Sequence, residues 1–290
     1  MKRRPCMNEA SCAFVILTWN SVSYVERCLN SVLGLPFREL AVLVLDNGSD
    51  DGTVELIEEH YAKEIREGRL LLTRADHNLG TTVSRNILMR DICPETDYIC
   101  VLDSDTEVYA EAFDVMCGHY ADDAGGLIGV MGPRMRNESK ILQPSGRSLP
   151  TLQIKLGKAL PLHSLREWAA AAEVCDTPVR GGLQDVGYLL SACWLFPYST
   201  YASVGPLDES IFYAPEDADW CARVHKAGLR VVIAHDAEIL HAYQRIGHKK
   251  VLSRVNMSHI KGLVYFFLKH RYLFGSRGVW NPASAWKSRE

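Results

Sequence analysis

Two acidic clusters and a distant histidine are the residues of this chain best suited to chemistry. Asp103-Ser104-Asp105 follows the apolar run Tyr98-Ile99-Cys100-Val101-Leu102, so a buried strand delivers two carboxylates to its carboxyl end. In open α/β sheets that end faces the ligand crevice. Two like charges so close need a cation or a proton between them, and Mg²⁺ commonly takes one or two carboxylates plus substrate phosphates. On this reading Asp105 holds a divalent metal and the metal holds a diphosphate. The second cluster is Pro215-Glu216-Asp217-Ala218-Asp219-Trp220, and Ile239-Leu240-His241 carries the imidazole. Asp217 suits a general base, because an alcohol is a poor nucleophile near neutrality and a positioned base accelerates attack on the order of 10²–10⁴-fold. Read alone, Asp-Ser-Asp also fits a helix N-cap or turn. The Glu-Asp pair equally fits a helix start complementing the macrodipole, and a lone histidine a satisfied polar residue.

The elements that position these residues alternate. Strands are expected at Ala13–Leu17, Leu40–Leu45, Leu70–Thr73, Tyr98–Leu102 and Leu229–Ile233. Helices are expected from Val22 to Leu33, after a Thr53 cap, after the Asn78-Leu79-Gly80 turn, and from Asp217 to Ala227 with Gly228 as the stop. Strands separated by helices predict an α/β fold with a largely parallel, doubly wound sheet. The second strand ends in Asp46-Asn47-Gly48-Ser49, where a carboxylate can bond a nucleobase imide or a ribose hydroxyl; such a turn is also favoured for backbone reasons alone. Arg85, one helical turn into its element, can face a diphosphate or a base. Residues 134–187 are irregular, with one helix from Leu165 to Val174, and read as an excursion over the active-site face.

Composition sets limits. The chain has 290 residues, 47% hydrophobic and 23% charged, enough for one large domain with an appendage. Its nine cysteines form no Cys-x-x-Cys pair, which argues against zinc or a disulfide framework and for a reducing cytosol. Residues 1–11 read as a disordered basic leader. From Arg245 onward there are ten Lys/Arg and one acid, a net +9, so the rest carries −12. Residues 246–290 therefore read as a basic amphipathic helical tail. Its apolar run, Gly262–Leu268, falls well short of the ~20 residues that span a bilayer. It suits either an anionic membrane surface or packing on the domain. Nucleic acid is a poor partner for a chain otherwise acidic. No Gly-x-Gly-x-x-Gly follows the first strand and there is no P-loop, so neither a dinucleotide site nor a P-loop phosphate site is indicated.

Taken in order, Thr18-Trp19-Asn20, Asp46-Asn47-Gly48-Ser49-Asp50-Asp51-Gly52-Thr53, Asn78-Leu79-Gly80 with Arg85-Asn86, Asp103-Ser104-Asp105, Gly205-Pro206-Leu207-Asp208-Glu209, Glu216–Trp220 and His241 resemble the family 2 inverting glycosyltransferases of the GT-A fold, from about Ala13 to Arg245. The bacterial rhamnosyltransferase-like branch is the nearest likeness. The resemblance implies a GT-A domain over residues 12–245 and a nucleoside-diphosphate sugar donor. Asp46 is expected at the base, Asp103 at the ribose, and Arg85 at the base or phosphates. Asp105 and His241 are expected to ligate Mn²⁺ or Mg²⁺, the imidazole inclining the choice to Mn²⁺. Asp217 is the expected base, and Glu216, Asp219 and Trp220 are placed on the acceptor side. With the basic tail, the resemblance implies a glycan or lipid-linked glycan acceptor in polysaccharide assembly. The enzyme is then expected in the cytoplasm, peripheral on the inner face of the plasma membrane.

This chain departs from the family at Thr81-Thr82 and Ser191-Ala192, where relatives carry smaller residues, and residues 134–187 match nothing in the pattern. Two other classes use similar residues. A nucleotidyltransferase also pairs carboxylates with a metal, but its Gly-rich basic loop after strand one is replaced by Thr18-Trp19-Asn20. A non-catalytic sugar-nucleotide-binding scaffold is disfavoured by the intact Asp105, Asp217 and His241.

Overall fold

The structure, a computed structural model, describes residues 4–175, 182–242 and 254–280. Its centre is a mixed sheet of seven principal strands: β1 (Ser11–Thr18), β2 (Glu39–Asp46), β3 (Leu70–Arg74), β4 (Tyr98–Asp103), β5 (Ile128–Arg136), β6 (Cys193–Pro197) and β7 (Arg230–His241). They lie side by side as β3-β2-β1-β4-β6-β5-β7. The first half is parallel, as the apolar runs predicted. β6 enters antiparallel between β4 and β5. β1 pairs β2 on one side and β4 on the other, with Thr18 beside Asp46 and Leu17 beside Asp103. The chain thus reverses its direction of travel across the sheet at β1, and a crevice opens at the carboxyl ends there.

Side-chain alternation along β1 divides the core in two. Phe14 and Ile16 face α1 (Val25–Leu33) and α4 (Ala110–Asp122), while Ala13 and Val15 face the cluster built on Trp194, Phe196 and Trp220. α2 (Thr53–His60) starts at Thr53, which is helical rather than a cap. Its hydroxyl donates to Asp51 and accepts from the Ser21 amide. α3 (Thr81–Asn86) follows Gly80, whose φ is +83° and whose missing Cβ would stand 2.6 Å from Phe212. Only glycine fits there, so the turn before α3 is locked to the loop before α7 (Glu216–Lys226).

Three sequence expectations are corrected. Residues 4–11 are not disordered: Arg4 donates to the Ile128 carbonyl at 3.2 Å and lies over the Tyr120 ring, and Met7 is buried. Residues 1–3 lie outside the described residues. The excursion carries two helices rather than one, α5 (Leu152–Ala159) and α6 (His163–Glu173). Finally β7 runs on to His241, well past Ile233. Its ladder with β5 slips between Ala234 and Glu238, opposite Pro133 and Arg134. Pro133 has no N–H to give, and the inserted residues form a bulge that carries the strand onward.

The tail forms α8 (Arg254–His270), and it packs. Phe266 and Phe267 enter the Trp194 cluster, and Gly262 passes so close to the Ala214 carbonyl that a Cβ would sit 2.5 Å from it. Lys269 donates to Asp208 at 2.6 Å and to Asp219 at 2.9 Å, and the Tyr265 hydroxyl donates to Asp208. Ile260, Val264 and Leu268, at four-residue spacing, stay exposed on the outer face, Leu268 at 73%. Residues 246–253 and 281–290 of the expected tail lie outside the described residues.

Candidate active site

Asp105 and His241 are far apart in the chain, and a short strand joins them. Thr106 and Glu107 pair antiparallel with the end of β7, setting His241 opposite Thr106, and the Ala242 amide donates to the Asp105 carbonyl at 2.8 Å. Asp103 ends β4 next to them. One ligand atom from each of Asp103, Asp105 and His241 falls within 4.8 Å of the others, and His241 Nε2 stands 3.4 Å from an Asp105 oxygen. Burial works against the imidazolium, but Asp105 and Asp103 outweigh it and raise its pKa above the ordinary value. Behind it, the Gln143 side-chain amide donates to the His241 carbonyl at 3.2 Å, so Gln143 Oε1 accepts from Nδ1 at 2.8 Å. That orients the ring so that Nε2 faces the carboxylates, where it would ligate a cation on giving up its proton. Two hard oxygens with one imidazole fit a divalent cation, Mn²⁺ or Mg²⁺.

Arg85 rises from α3 beneath this group with only 2% of its surface exposed. Its Nη2 donates to Asp103 at 2.7 Å and to the Ser191 carbonyl at 3.2 Å, and Nη1 is 3.8 Å from Glu216. Arg85 therefore ties the end of β4 to the start of α7. Glu216 is buried on the same ion pair, with Ser191 Oγ donating to it. Burial pushes the Asp103 carboxyl up, Arg85 opposes the rise, and Asp105 adds to it.

Asp217 opens the first turn of α7. Its carboxylate accepts from the Ala218 amide at 2.7 Å and borders the same cleft as Asp103, Asp105 and His241, a hollow of about 710 Å³. Burial, then the neighbouring Glu216 charge, push its pKa up to about 7, against the pull of the Ala218 amide, Lys155 and Arg147. A carboxylate so tuned exchanges a proton near neutrality.

The other expected residues sit elsewhere. Asp219 is two positions from Asp217, about 200° around the helix, and faces away from the cleft. There it accepts from His270 at 2.8 Å, Lys269 and Arg223, anchoring α8. Trp220, 1% exposed, stacks on Trp194 at 5.2 Å and donates to the Gly205 carbonyl; it is core, not acceptor wall. Glu216 reaches the cleft lining, but its carboxylate is directed to Arg85. Asp46 is buried and accepts from Thr18 Oγ1, Ser49 Oγ and the Gly48 and Ser49 amides. These bonds use its oxygens to shape the turn after β2, off the cleft wall. Ser191 and Thr81 do line the cleft. Gln143, Arg147, Lys155, Lys158 and His259 also converge on the site; no motif marked them, since four lie in the excursion and one in the tail.

A family model for glycosyl transferase family 2 matches residues 13–166. Over 285 residues the chain is 28% identical to an N-acetylglucosaminyl-diphospho-decaprenol L-rhamnosyltransferase of Mycobacterium tuberculosis, covering 95% of this chain and 88% of that one. It is also 28% identical over 131 residues to a poly-beta-1,6-N-acetyl-D-glucosamine synthase of Staphylococcus aureus, 44% of this chain and 30% of the other. Among solved structures, GalNAc-T7 with UDP, GalNAc and Mn²⁺ superposes with a TM-score of 0.65 at 14% identity, covering 90% of this chain and 48% of its own. A mannosyltransferase from Pyrobaculum calidifontis with GDP-Man and Mn²⁺ gives 0.58 at 14% identity, with 90% and 64% coverage. The fold is GT-A, and the chain belongs to glycosyl transferase family 2.

Proposed function

We propose that the protein moves a sugar from a nucleoside-diphosphate sugar to a hydroxyl of a glycan or lipid-linked glycan by a single, inverting displacement. The observation that carries this is one cleft shared by Asp217 and the Asp103, Asp105 and His241 group. The acceptor hydroxyl gives its proton to Asp217 while its oxygen bonds the anomeric carbon. The bond from that carbon to the diphosphate breaks, and the nucleoside diphosphate leaves with the electron pair. Attack opposite the leaving group inverts the centre. Asp105 and His241, with Asp103, are the residues to hold Mn²⁺ or Mg²⁺, which supplies positive charge at the diphosphate. Arg85 keeps Asp103 and Glu216 in place around them. The carboxyl near pH 7 supports the base role.

The decaprenyl-linked substrate in the name of the mycobacterial relative supports a lipid-linked acceptor. Among the described residues no helix is long and apolar enough to cross a membrane. We place the enzyme at the inner face of the plasma membrane, held peripherally by the exposed ridge of α8 and its flanking basic residues.

Incubation with UDP-, dTDP- and GDP-sugars, Mn²⁺ and water tests the reading. Release of nucleoside diphosphate is expected, with inverted product once an acceptor is present. Release of sugar 1-phosphate instead would indicate nucleotidyl transfer, and binding without turnover a scaffold.

A further inference from the structure

A second charged group lies in the cleft, of opposite sign to the carboxylate–imidazole site. Glu173, the last residue of α6, is buried and draws three cations. Arg147 Nη1 stands 3.0 Å and Lys155 Nζ 2.9 Å from its carboxylate, and Lys158 Nζ meets it as well. They hold its pKa at about 2 despite its burial. Among the described residues, three cations on one carboxylate leave two positive charges unbalanced. Among them too, Arg147 keeps a buried Nε with no hydrogen-bond partner. All four side chains line the cleft, as does His259 of α8. Asp217 borders the same cleft as both groups, and its carboxyl feels charge of both signs: Glu216 raises its pKa, while Lys155 and Arg147 lower it.

A single carboxylate is satisfied by one or two cations, and gathering three like charges carries a repulsive cost. The surplus therefore points to an anion that arrives from outside. The donor diphosphate belongs at the carboxylate site, where Asp103, Asp105 and His241 would hold a divalent cation to supply positive charge to it. An anion here lies on the acceptor side of Asp217. The helical hairpin that carries Lys155 and Lys158 is rich in exposed apolar side chains: Leu156 of α5 is half exposed, and Leu160, Leu162, Leu165 and Trp168 of the turn and α6 are exposed as well. Isolated exposed leucines are ordinary, but five large apolar side chains exposed on one hairpin point to a binding surface.

We propose that Arg147, Lys155 and Lys158 bind the diphosphate of a sugar-diphospho-lipid acceptor, with the hydrocarbon chain leaving along the α5–α6 hairpin. A diphosphate esterified at both ends carries two negative charges, matching the surplus. Its sugar then lies toward Asp217 and its chain toward the hairpin. The inference rests on the transferase reading and adds the acceptor's charged link to it.

The test uses the full chain in EDTA, so that the divalent site takes no diphosphate. The probes are N-acetylglucosaminyl diphosphoundecyl, the neutral undecyl N-acetylglucosaminide, inorganic pyrophosphate and phosphatidylglycerol vesicles. Lys158→Gln removes the most exposed cation, 40% open to solvent, and leaves two on Glu173. It is expected to weaken the diphospho-lipid roughly tenfold, the scale of one charge-assisted hydrogen bond, and to leave the neutral glycolipid unchanged. Pyrophosphate is expected to compete. Glu173→Gln removes the internal competitor and is expected to tighten the diphospho-lipid. Equal losses with both probes, or weakening by Glu173→Gln matching that by Lys158→Gln, would overturn the proposal, since a purely structural ion-pair hub behaves that way. So would Lys158→Gln reducing vesicle binding alone. Donor hydrolysis by the wild-type protein with Mn²⁺ is measured in parallel. If hydrolysis is present and the probe ignores Lys158, the acceptor site fails and the transferase stands. If hydrolysis is absent but Lys158 controls the probe, the reverse holds.

Discussion

Gln143 holds the imidazole of His241 from behind, its Oε1 2.8 Å from Nδ1, while the opposite nitrogen faces Asp105 at 3.4 Å. Such outer contacts set both the tautomer and the angle of a metal-binding ring. Gln143→Leu is expected to raise the Mn²⁺ concentration for half-maximal activity roughly 10–100-fold, with most of the turnover regained at saturating Mn²⁺. A metal titration that overlays wild type would remove Gln143 from this role.

Asp217→Asn is expected to lower kcat by on the order of 10²–10⁴ while nucleotide affinity stays at the wild-type value. In the wild-type protein kcat/KM should climb as pH rises toward 7, where Asp217 loses its proton, and then level off. Persistence of that limb in the Asn variant would assign it to another group.

The same carboxyl has a consequence for stability. Its pKa rises from 3.8 to about 7 on folding, so between those values the folded protein keeps a proton that the unfolded chain has released. Stability then falls as pH rises through that window, and the full penalty is present above it. Thermal unfolding is expected to show Asp217→Asn gaining on wild type from about pH 4 to about pH 7. A pH-independent difference would contradict the raised value.

Arg85 is the buried cation on which Asp103 and Glu216 both depend. Its replacement by Met leaves two carboxylates facing each other and should cost about 3 kcal/mol, read from denaturant unfolding. Glu216→Gln in the same chain should recover part of the loss, because it removes the charge most deeply buried. Strict additivity of the two changes would mean the pair is not coupled.

Asp219→Ala is expected to lower the melting temperature and to leave the acceptor KM alone, since its carboxylate serves His270, Lys269 and Arg223. Deleting residues from Val251 onward should likewise give an unstable or insoluble protein, because Phe266 and Phe267 leave the core with α8. A soluble, fully active truncation would show that the helix only rests on the domain.

Much was legible in the chain because apolar runs and their termini are local. The run Tyr98–Leu102 placed Asp103 and Asp105 at a strand end, and the alternation of strands and helices implied the sheet. The order of motifs named the family. Less legible was the use made of each acid. Glu216, Asp217, Ala218, Asp219 and Trp220 are consecutive, yet helical geometry sends Asp217 to the cleft, Asp219 to α8 and Trp220 to the core. Position along a helix separates residues that a motif groups together.

By itself the sequence determined where the principal strands and helices lie, which side chains carry charge, and that the paired carboxylates stand at the end of a buried strand. Tertiary structure decided which of them meet. Asp105 reaches His241 through an antiparallel pairing far along the chain, and Glu173 collects Arg147 from one element and Lys155 and Lys158 from another. Asp46 is spent on its own turn. Local propensity acts over a few residues, whereas burial and charge pairing act through space. A site assembled from distant segments is therefore visible only once the sheet has brought them together.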